Sequence, residues 1–300
     1  MPTAPYPSTR KKTDMANPAL KEAITNGEFV AAPGVFELIS ALIADTVGFK
    51  ALYVTGYGTV ASSLGLPDAG IATYTNMIDR ISTIVERTKT PVIADADTGY
   101  GGLLNVRYTV QGYEKAGVSA IQMEDQEFPK KCGHTPNRRV VPLEDMLQKI
   151  DVAVDARESD DFLIIARTDS RTGHGIDEAI RRGQAFAKAG ADIIFIESPE
   201  TEDELKKIRD SIDAPLLANM VHGGRTPMLP ESRLKELGFA LAIYPAIGFL
   251  SMGAALTKAY TDLLENGETT DAVDLYEFSK FNELIGFKDV WDFEKRFAQV

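Results

Sequence analysis

Four glycines, Gly48, Gly117, Gly190 and Gly238, each stand between a longer amphipathic stretch and a short apolar run. Glycine just past the last helical residue takes the left-handed conformation that ends a helix at little cost. The same helix-to-strand junction recurring along one chain describes repeated βα units rather than unrelated loops. The apolar runs lie at 29–32, 51–54, 91–94, 120–123, 162–166, 193–196, 216–218 and 240–243. Each is nearly continuous in apolar residues, as expected of parallel strands covered on both faces. Helical stretches at 75–87, 104–116, 143–158 and 176–189 fall between them. Eight such strands over roughly 220 residues match a (β/α)8 TIM barrel, typically about 250 residues long. An open doubly wound sheet is the competing arrangement. Against it, the turn Ala32-Pro33-Gly34-Val35 lacks the glycines of a dinucleotide-binding loop.

After residue 243 the chain reads as mostly helical, at 249–265, 271–284 and 289–300, with breaks at Asn266-Gly267-Glu268 and Gly286. That is more helix than one barrel repeat needs. The division expected is a mobile arm at 1–15, a catalytic barrel at 16–250 and a helical arm at 251–300. Phe278, Phe281, Phe287 and Trp291 in that arm need cover, either from a partner subunit or from the arm's own barrel.

Composition excludes several partners. A net charge of −12 opposes a polyanion such as nucleic acid, which is bound by neutralising phosphates with Lys and Arg. No apolar run approaches the roughly 18 residues of a membrane helix. The first fifteen residues lack the apolar stretch of a signal peptide, so a soluble cytoplasmic protein is expected. One cysteine cannot build an intramolecular disulfide.

In a parallel barrel the site forms where the strands end. The second predicted strand runs into Tyr53, Thr55, Gly56 and Tyr57; the third into Asp95 and Asp97; the fourth into Glu124. The fifth runs into Arg167, the sixth into Glu197 and the seventh into Asn219. Asp95 and Asp97 lie two apart, so an extended backbone would point both the same way. Together with Glu124 they make an all-oxygen cluster suited to Mg2+. The plainer reading of such acids is helix capping or pairing with Lys and Arg. Arg167 carries the planar fork that clamps a carboxylate, or forms a salt bridge to Glu197 or Asp169. Thr55 and Asn219 can hydrogen-bond a carboxylate, with backbone N–H groups from Gly56 and Tyr57.

Cys132 stands in Lys130-Lys131-Cys132-Gly133-His134. Neighbouring cations favour the thiolate, so this is a tuned thiol rather than a core filler. His134 could orient it or hold a substrate carboxylate. His174 reads as part of a surface turn, and His222 as close to the barrel mouth. Zinc spacing and a serine-hydrolase elbow are both missing.

The segments Asp95-Ala96-Asp97-Thr98-Gly99-Tyr100-Gly101-Gly102, Glu124-Asp125-Gln126, the cysteine pentad, Ala166-Arg167-Thr168-Asp169 and Asn219-Met220 resemble the isocitrate lyase/phosphoenolpyruvate mutase superfamily. The cysteine loop resembles its C–C lyase branch, of the 2-methylisocitrate lyase, 2,3-dimethylmalate lyase and petal-death type. The resemblance implies a barrel with a helix swapped between subunits in a dimer of dimers, a homotetramer. It also implies Mg2+, with Mn2+ as substitute, near Asp95, Asp97 and Glu124, with Asp68 nearby. Substrate would contact Tyr53, Thr55, Gly56, Tyr57, Gly133, Arg167, Glu197 and Asn219. The implied reaction is retro-Claisen cleavage of a 2-hydroxy dicarboxylate or tricarboxylate to an α-keto acid and a carboxylic acid. Cys132 would be its general acid, Lys130 and His134 would share its loop, and Tyr53 is one candidate base. An oxaloacetate hydrolase could use the same metal and loop, and a non-catalytic binding protein is a third reading. Tyr57 resembles the petal-death type, and a bulkier wall there favours a smaller substrate.

Overall fold

The computed structural model describes residues 16–133, 135 and 137–297. Eight parallel strands close a barrel in sequence order: β1 (Val30–Val35), β2 (Leu52–Val54), β3 (Val92–Asp95), β4 (Ala120–Glu124), β5 (Leu163–Thr168), β6 (Ile193–Ile196), β7 (Leu216–Asn219) and β8 (Leu241–Tyr244). The closed barrel displaces the open-sheet alternative. Gly48, Gly117, Gly190 and Gly238 all have left-handed φ values, 95°, 83°, 99° and 85°, as their place after each helix requires.

β1 runs further than its apolar residues suggest, through Pro33 and Gly34. These pair with β8 and β2, at the seam where the barrel closes. A Cβ at Gly34 would lie 2.2 Å from the Pro245 carbonyl oxygen, so only glycine lets the two chains approach there.

Alternation along each strand separates two cores. Val54, Ala94, Ile121, Ile164, Ile194 and Ala218 face outward against the helices. Tyr53, Ile93, Ile165, Phe195, Leu217 and Ile243 fill the barrel interior. The helix Ala19–Thr25 adds Leu20 and Ala23 to that inner cluster, beside the residues that begin the strands.

The chain divides into two compact units, one up to Gly248 and one from Phe249 onward. The second is helical. Its helix Phe278–Leu284 begins later than the sequence pattern suggests, and Phe287–Phe297 starts directly after Gly286. No residue of Ile247–Asn266 or of these two helices is buried. Among the described residues no helix is long and apolar enough to cross a membrane.

Candidate active site

The inward-facing positions change character within one step of the alternation. Ile93, Gln122, Ile165, Phe195 and Leu217 are followed, two residues on, by Asp95, Glu124, Arg167, Glu197 and Asn219. Register places these side by side: Asp95 opposite Gln122, and Glu124 opposite Arg167. Register partners in a sheet share a face, so the two strands alone bring Glu124 and Arg167 together.

Arg167 is the hub. It holds Asp169 with a two-pronged bond, both N···O distances 2.9 Å, and reaches Glu197 at 3.2 Å and Glu124 at 3.3 Å. Its guanidinium sits 5.1 Å from the Phe195 ring centre, so the last apolar layer supports it from below. Asn219 donates to Glu197 at 3.0 Å. Burial would weaken the Arg167 charge, but Asp169, Glu124 and Glu197 outweigh it and hold the guanidinium fully protonated. The salt-bridge reading of Arg167 is the one seen here. Arg167 pairs with Asp169 and Glu197 and still lines the mouth.

Asp95 ends β3 and accepts from Gly56 N–H at 3.2 Å and Asp97 N–H at 3.0 Å. Gly56 opens the helix Gly56–Leu64, with Thr55 as its N-cap. A Cβ at Gly56 would come within 2.6 Å of the Asp95 carboxylate, which explains the glycine. Asp97 does not continue the strand. Its φ is 49°, so the extended-backbone expectation fails there. The turn carries its carboxylate to Lys130 Nζ at 2.6 Å, and Asp68 meets the same ammonium at 2.5 Å.

The electrostatics follow from this crowding. Burial, and then the nearby Asp95 and Asp68, push the Asp97 carboxyl up to about 7 despite Lys130. Burial also raises Glu124 well above the usual carboxylate range, against the pull of Arg167. Lys130 remains an ammonium: burial opposes its charge, but Asp97, Glu124 and Asp68 prevail. Among the described residues no three of these groups converge as a finished metal cage. The donor set still fits Mg2+, which takes one or two protein carboxylates and completes its shell with water and substrate. Asp95, Asp97 and Glu124 crowd one mouth while Arg167 is already shared, leaving a buried carboxylate excess that a divalent cation relieves.

The Cys132 loop covers this mouth. A Cβ at Gly133 would lie 2.4 Å from Arg167 Nη2 and 2.7 Å from Glu197 Oε2, so the loop backbone rests directly on the Arg167–Glu197 pair. The Ser198 hydroxyl stands 3.1 Å from the Gly133 carbonyl. Cys132 is half-buried, and its carbonyl accepts from Thr135 N–H and Thr135 hydroxyl, at 3.0 and 2.7 Å. His134 lies outside the described residues.

Tyr53 is buried and donates its phenol to Gln122 at 2.8 Å. Burial, and next Asp95, push this phenol well above its ordinary range, so it keeps its proton. Tyr57, on the first turn after Thr55, is 42% exposed. His222 is exposed, and His174 closes a short helix, Ser170–His174, in place of the expected turn.

Several supporting residues do not stand out in the sequence. Gln122 steadies both Tyr53 and Asp95 (the latter at 3.4 Å), and its signal was a lone polar residue inside the apolar run of β4. Arg138, on the Cys132 loop, bonds Asp169 at 2.8 Å. Asp125 joins Thr168, the Asp169 N–H and Arg182 at 2.7–2.9 Å behind the mouth. No spacing in the sequence pairs these distant residues.

The chain matches the family described as phosphoenolpyruvate phosphomutase over residues 20–264. It is 48% identical to the 2,3-dimethylmalate lyase of Eubacterium barkeri, over 93% of this chain and 97% of that protein. It is 41% identical to the 2-methylisocitrate lyase of Aeropyrum pernix, over 94% of this chain and 90% of that one. A crystal structure of 2,3-dimethylmalate lyase, a member of the PEP mutase/isocitrate lyase superfamily, aligns with TM-score 0.88 at 36% identity, covering 95% of this chain and 96% of the other. Oxaloacetate acetylhydrolase bound to 3,3-difluorooxalacetate aligns with TM-score 0.87 at 32% identity, covering 94% and 98%. Phosphonopyruvate hydrolase, solved with oxalate and Mg2+, aligns with TM-score 0.84 at 31% identity, covering 94% and 98%. By family match, identity and fold together, the chain belongs to the phosphoenolpyruvate phosphomutase family, in the PEP mutase/isocitrate lyase superfamily, and is an enzyme of its lyase branch.

Proposed function

We propose that this enzyme cleaves the C2–C3 bond of a 2-hydroxy dicarboxylate of the 2,3-dimethylmalate type, or of a 2-methylisocitrate-like tricarboxylate, with Mg2+ as cofactor. The observation that carries the reading is the Cys132 loop lying on the Arg167–Glu197 pair, directly above the buried carboxylates. In this reading the Cys132 thiol, one residue before Gly133, serves the place where a substrate carboxylate beside Arg167 would sit.

Asp95, Asp97 and Glu124 would hold Mg2+, and Asp68 keeps Lys130 in place beside them. When bound, the cation would supply charge stabilisation for the 2-oxygen, whose proton passes to one of the buried carboxylates of the mouth as the oxygen becomes the keto oxygen of the product. Arg167 and Asn219 bind and orient the substrate carboxylates, Arg167 through the N–H groups that its fork on Asp169 leaves over. Thr55 and the turn into the helix Gly56–Leu64 border the same mouth. As C2–C3 breaks, its electron pair passes to C3 and forms the enediolate of the departing carboxylic acid. Cys132 then gives its proton to C3 as general acid, leaving a thiolate. Tyr53 keeps its proton and donates it in a hydrogen bond to Gln122 Oε1, which argues against base catalysis. Gly133 and its neighbours exclude water while the enediolate exists.

The exposed apolar residues Leu256, Tyr260, Leu263, Phe287 and Trp291 support reading the C-terminal helices as an arm that packs between subunits of a homotetramer. Light scattering at several concentrations tests this. A strictly monomeric protein would remove the arm's role.

The function is tested by incubating the purified chain with Mg2+ and 2,3-dimethylmalate, 2-methylisocitrate or oxaloacetate, following keto acid or oxalate release. The expected result is cleavage of a 2-hydroxy acid, abolished by chelator and restored by Mg2+. Oxalate from oxaloacetate alone would make the enzyme a hydrolase. No cleavage of any of the three would sink the lyase proposal.

A further inference from the structure

Gln126 follows β4 by two residues and is buried. Its side-chain amide is used in full. Nε2 donates to Glu124 Oε1 at 2.8 Å and to the Lys131 carbonyl at 2.8 Å, while Oε1 accepts the Lys131 N–H at 3.0 Å. Two donors and an acceptor on one planar group are what this arrangement requires. An ionised carboxylate has no donor, and a hydroxyl has only one. On one side Gln126 grips both backbone groups of the residue next to Cys132. On the other it grips the carboxylate that stands 3.3 Å from Arg167.

The stem of the loop is secured without this residue. Glu127 N–H reaches the Arg139 carbonyl and Val141 N–H reaches the Asp125 carbonyl, both at 2.9 Å. Arg138 adds its bond to Asp169, and Arg182 donates to the Val141 carbonyl at 2.9 Å. Lys130 anchors the loop by charge, through Asp68 and Asp97. Beyond Cys132 the Ser198 hydroxyl holds the Gly133 carbonyl, and before it the amide of Gln126 fixes Lys131, so the thiol lies between two tethers.

We propose that Gln126 is a positioning residue, tethering the tip of the Cys132 loop to the Glu124 carboxylate so that the thiol is held over the mouth. Cys132 is the only cysteine in the chain, so a thiol reagent reads this one position. The inference goes beyond the lyase proposal, and its main readout needs no turnover.

The experiment measures alkylation of Cys132 by iodoacetamide at fixed pH in the native chain, Gln126→Ala and Gln126→Glu, with hydrogen exchange on the same proteins. The expected result in either folded variant is alkylation about tenfold faster, the scale of losing one hydrogen bond to a charged group. Faster exchange is confined to the loop tip, with β4 unchanged. Gln126→Glu keeps the shape and removes the donors, so it answers the question if the alanine variant does not fold. Unchanged alkylation in a folded variant overturns the tether, as does exchange that rises equally through Ala120–Glu124. With the cleaved acid in hand, kcat falls while KM stays within about twofold, since the loop acts on the chemical step. A raised KM with unchanged kcat also counts against the tether. Failure of the lyase proposal would leave the alkylation result intact.

Discussion

The two ends of the barrel are built from opposite materials. At the strand starts, Val30, Ala51, Ala120, Leu163, Ile193 and Leu241 form an apolar floor that Leu20 and Ala23 join from the N-terminal helix. At the strand ends, Asp95, Glu124, Arg167, Glu197 and Asn219 are equally buried but charged or polar. Backbone strain is distributed the same way. Among the described residues the non-glycine positions with left-handed φ are Asp97, Tyr100, Asn137 and Ser198, all on loops at the strand ends. The comparison teaches that one end supplies the stability that the other consumes, since strained and charge-crowded groups persist only where the surroundings hold them.

The sharpest break in that comparison is expected at Cys132. Cys132→Ala should lower kcat by about 10²- to 10⁴-fold, the range for a positioned general acid, with thermal stability and ligand binding retained. Activity within about twofold of the native enzyme would take the proton from another group. At the floor the effects should be reversed in kind. Leu20→Ala empties a fully buried site and should cost about 2–5 kcal/mol in denaturant unfolding, with kcat unchanged in what remains folded. A loss below about 1 kcal/mol would mean that the N-terminal helix does not seal the barrel.

Asp97 tests whether the charged end really is held at the floor's expense. Its carboxylate sits in a crowd with Asp68 and Asp95 and shares Lys130 with Asp68, which stays behind to pair that ammonium. Asp97→Asn should raise stability in chelator by about 1 kcal/mol and, assayed separately with Mg2+ present, abolish turnover, the usual trade at a functional site. A destabilised variant would show that the Lys130 pair outweighs the crowding.

How much of this was legible in the sequence divides along the same line. The barrel was, because parallel strands buried on both faces read as apolar runs and because four of the helices end in a left-handed glycine, Gly48, Gly117, Gly190 and Gly238. Arg167, Glu197 and Asn219 were legible as the first polar residues after such runs. Asp97 was placed in the site for the wrong reason: it turns out of the strand at φ 49° and reaches Lys130 through the turn. Gln122 and Gln126 were passed over because an amide carries no charge or chemistry of its own, and its value lies entirely in partners that only the fold supplies. The links from Arg138 to Asp169 and from Asp125 to Arg182 join loops and helices distant in the chain, and no local pattern encodes them.

The smallest expected effect lies where the surface feeds into the charged end. Glu178 accepts from Arg181 at 2.7 and 2.8 Å and from Arg182 at 2.8 Å, and Arg182 passes on to Asp125 at 2.9 Å. The hydrogen bonds from Arg181 pull the Glu178 carboxyl down to about 2; burial opposes them, and the Arg182 hydrogen bond adds to the pull. A carboxyl depressed in the folded state adds stability that is present above its ordinary range near 4.5 and lost as the pH falls toward 2. The Arg181 partner is largely in solvent, so screening keeps the contribution below about 1 kcal/mol. Glu178→Gln should therefore lower the urea midpoint slightly at neutral pH, and most of that gap should close between about pH 4.5 and 2. A gap that stays constant across that range would assign the effect to packing rather than charge. Arg182 would then hold Asp125 and the stem of the Cys132 loop without help from the surface.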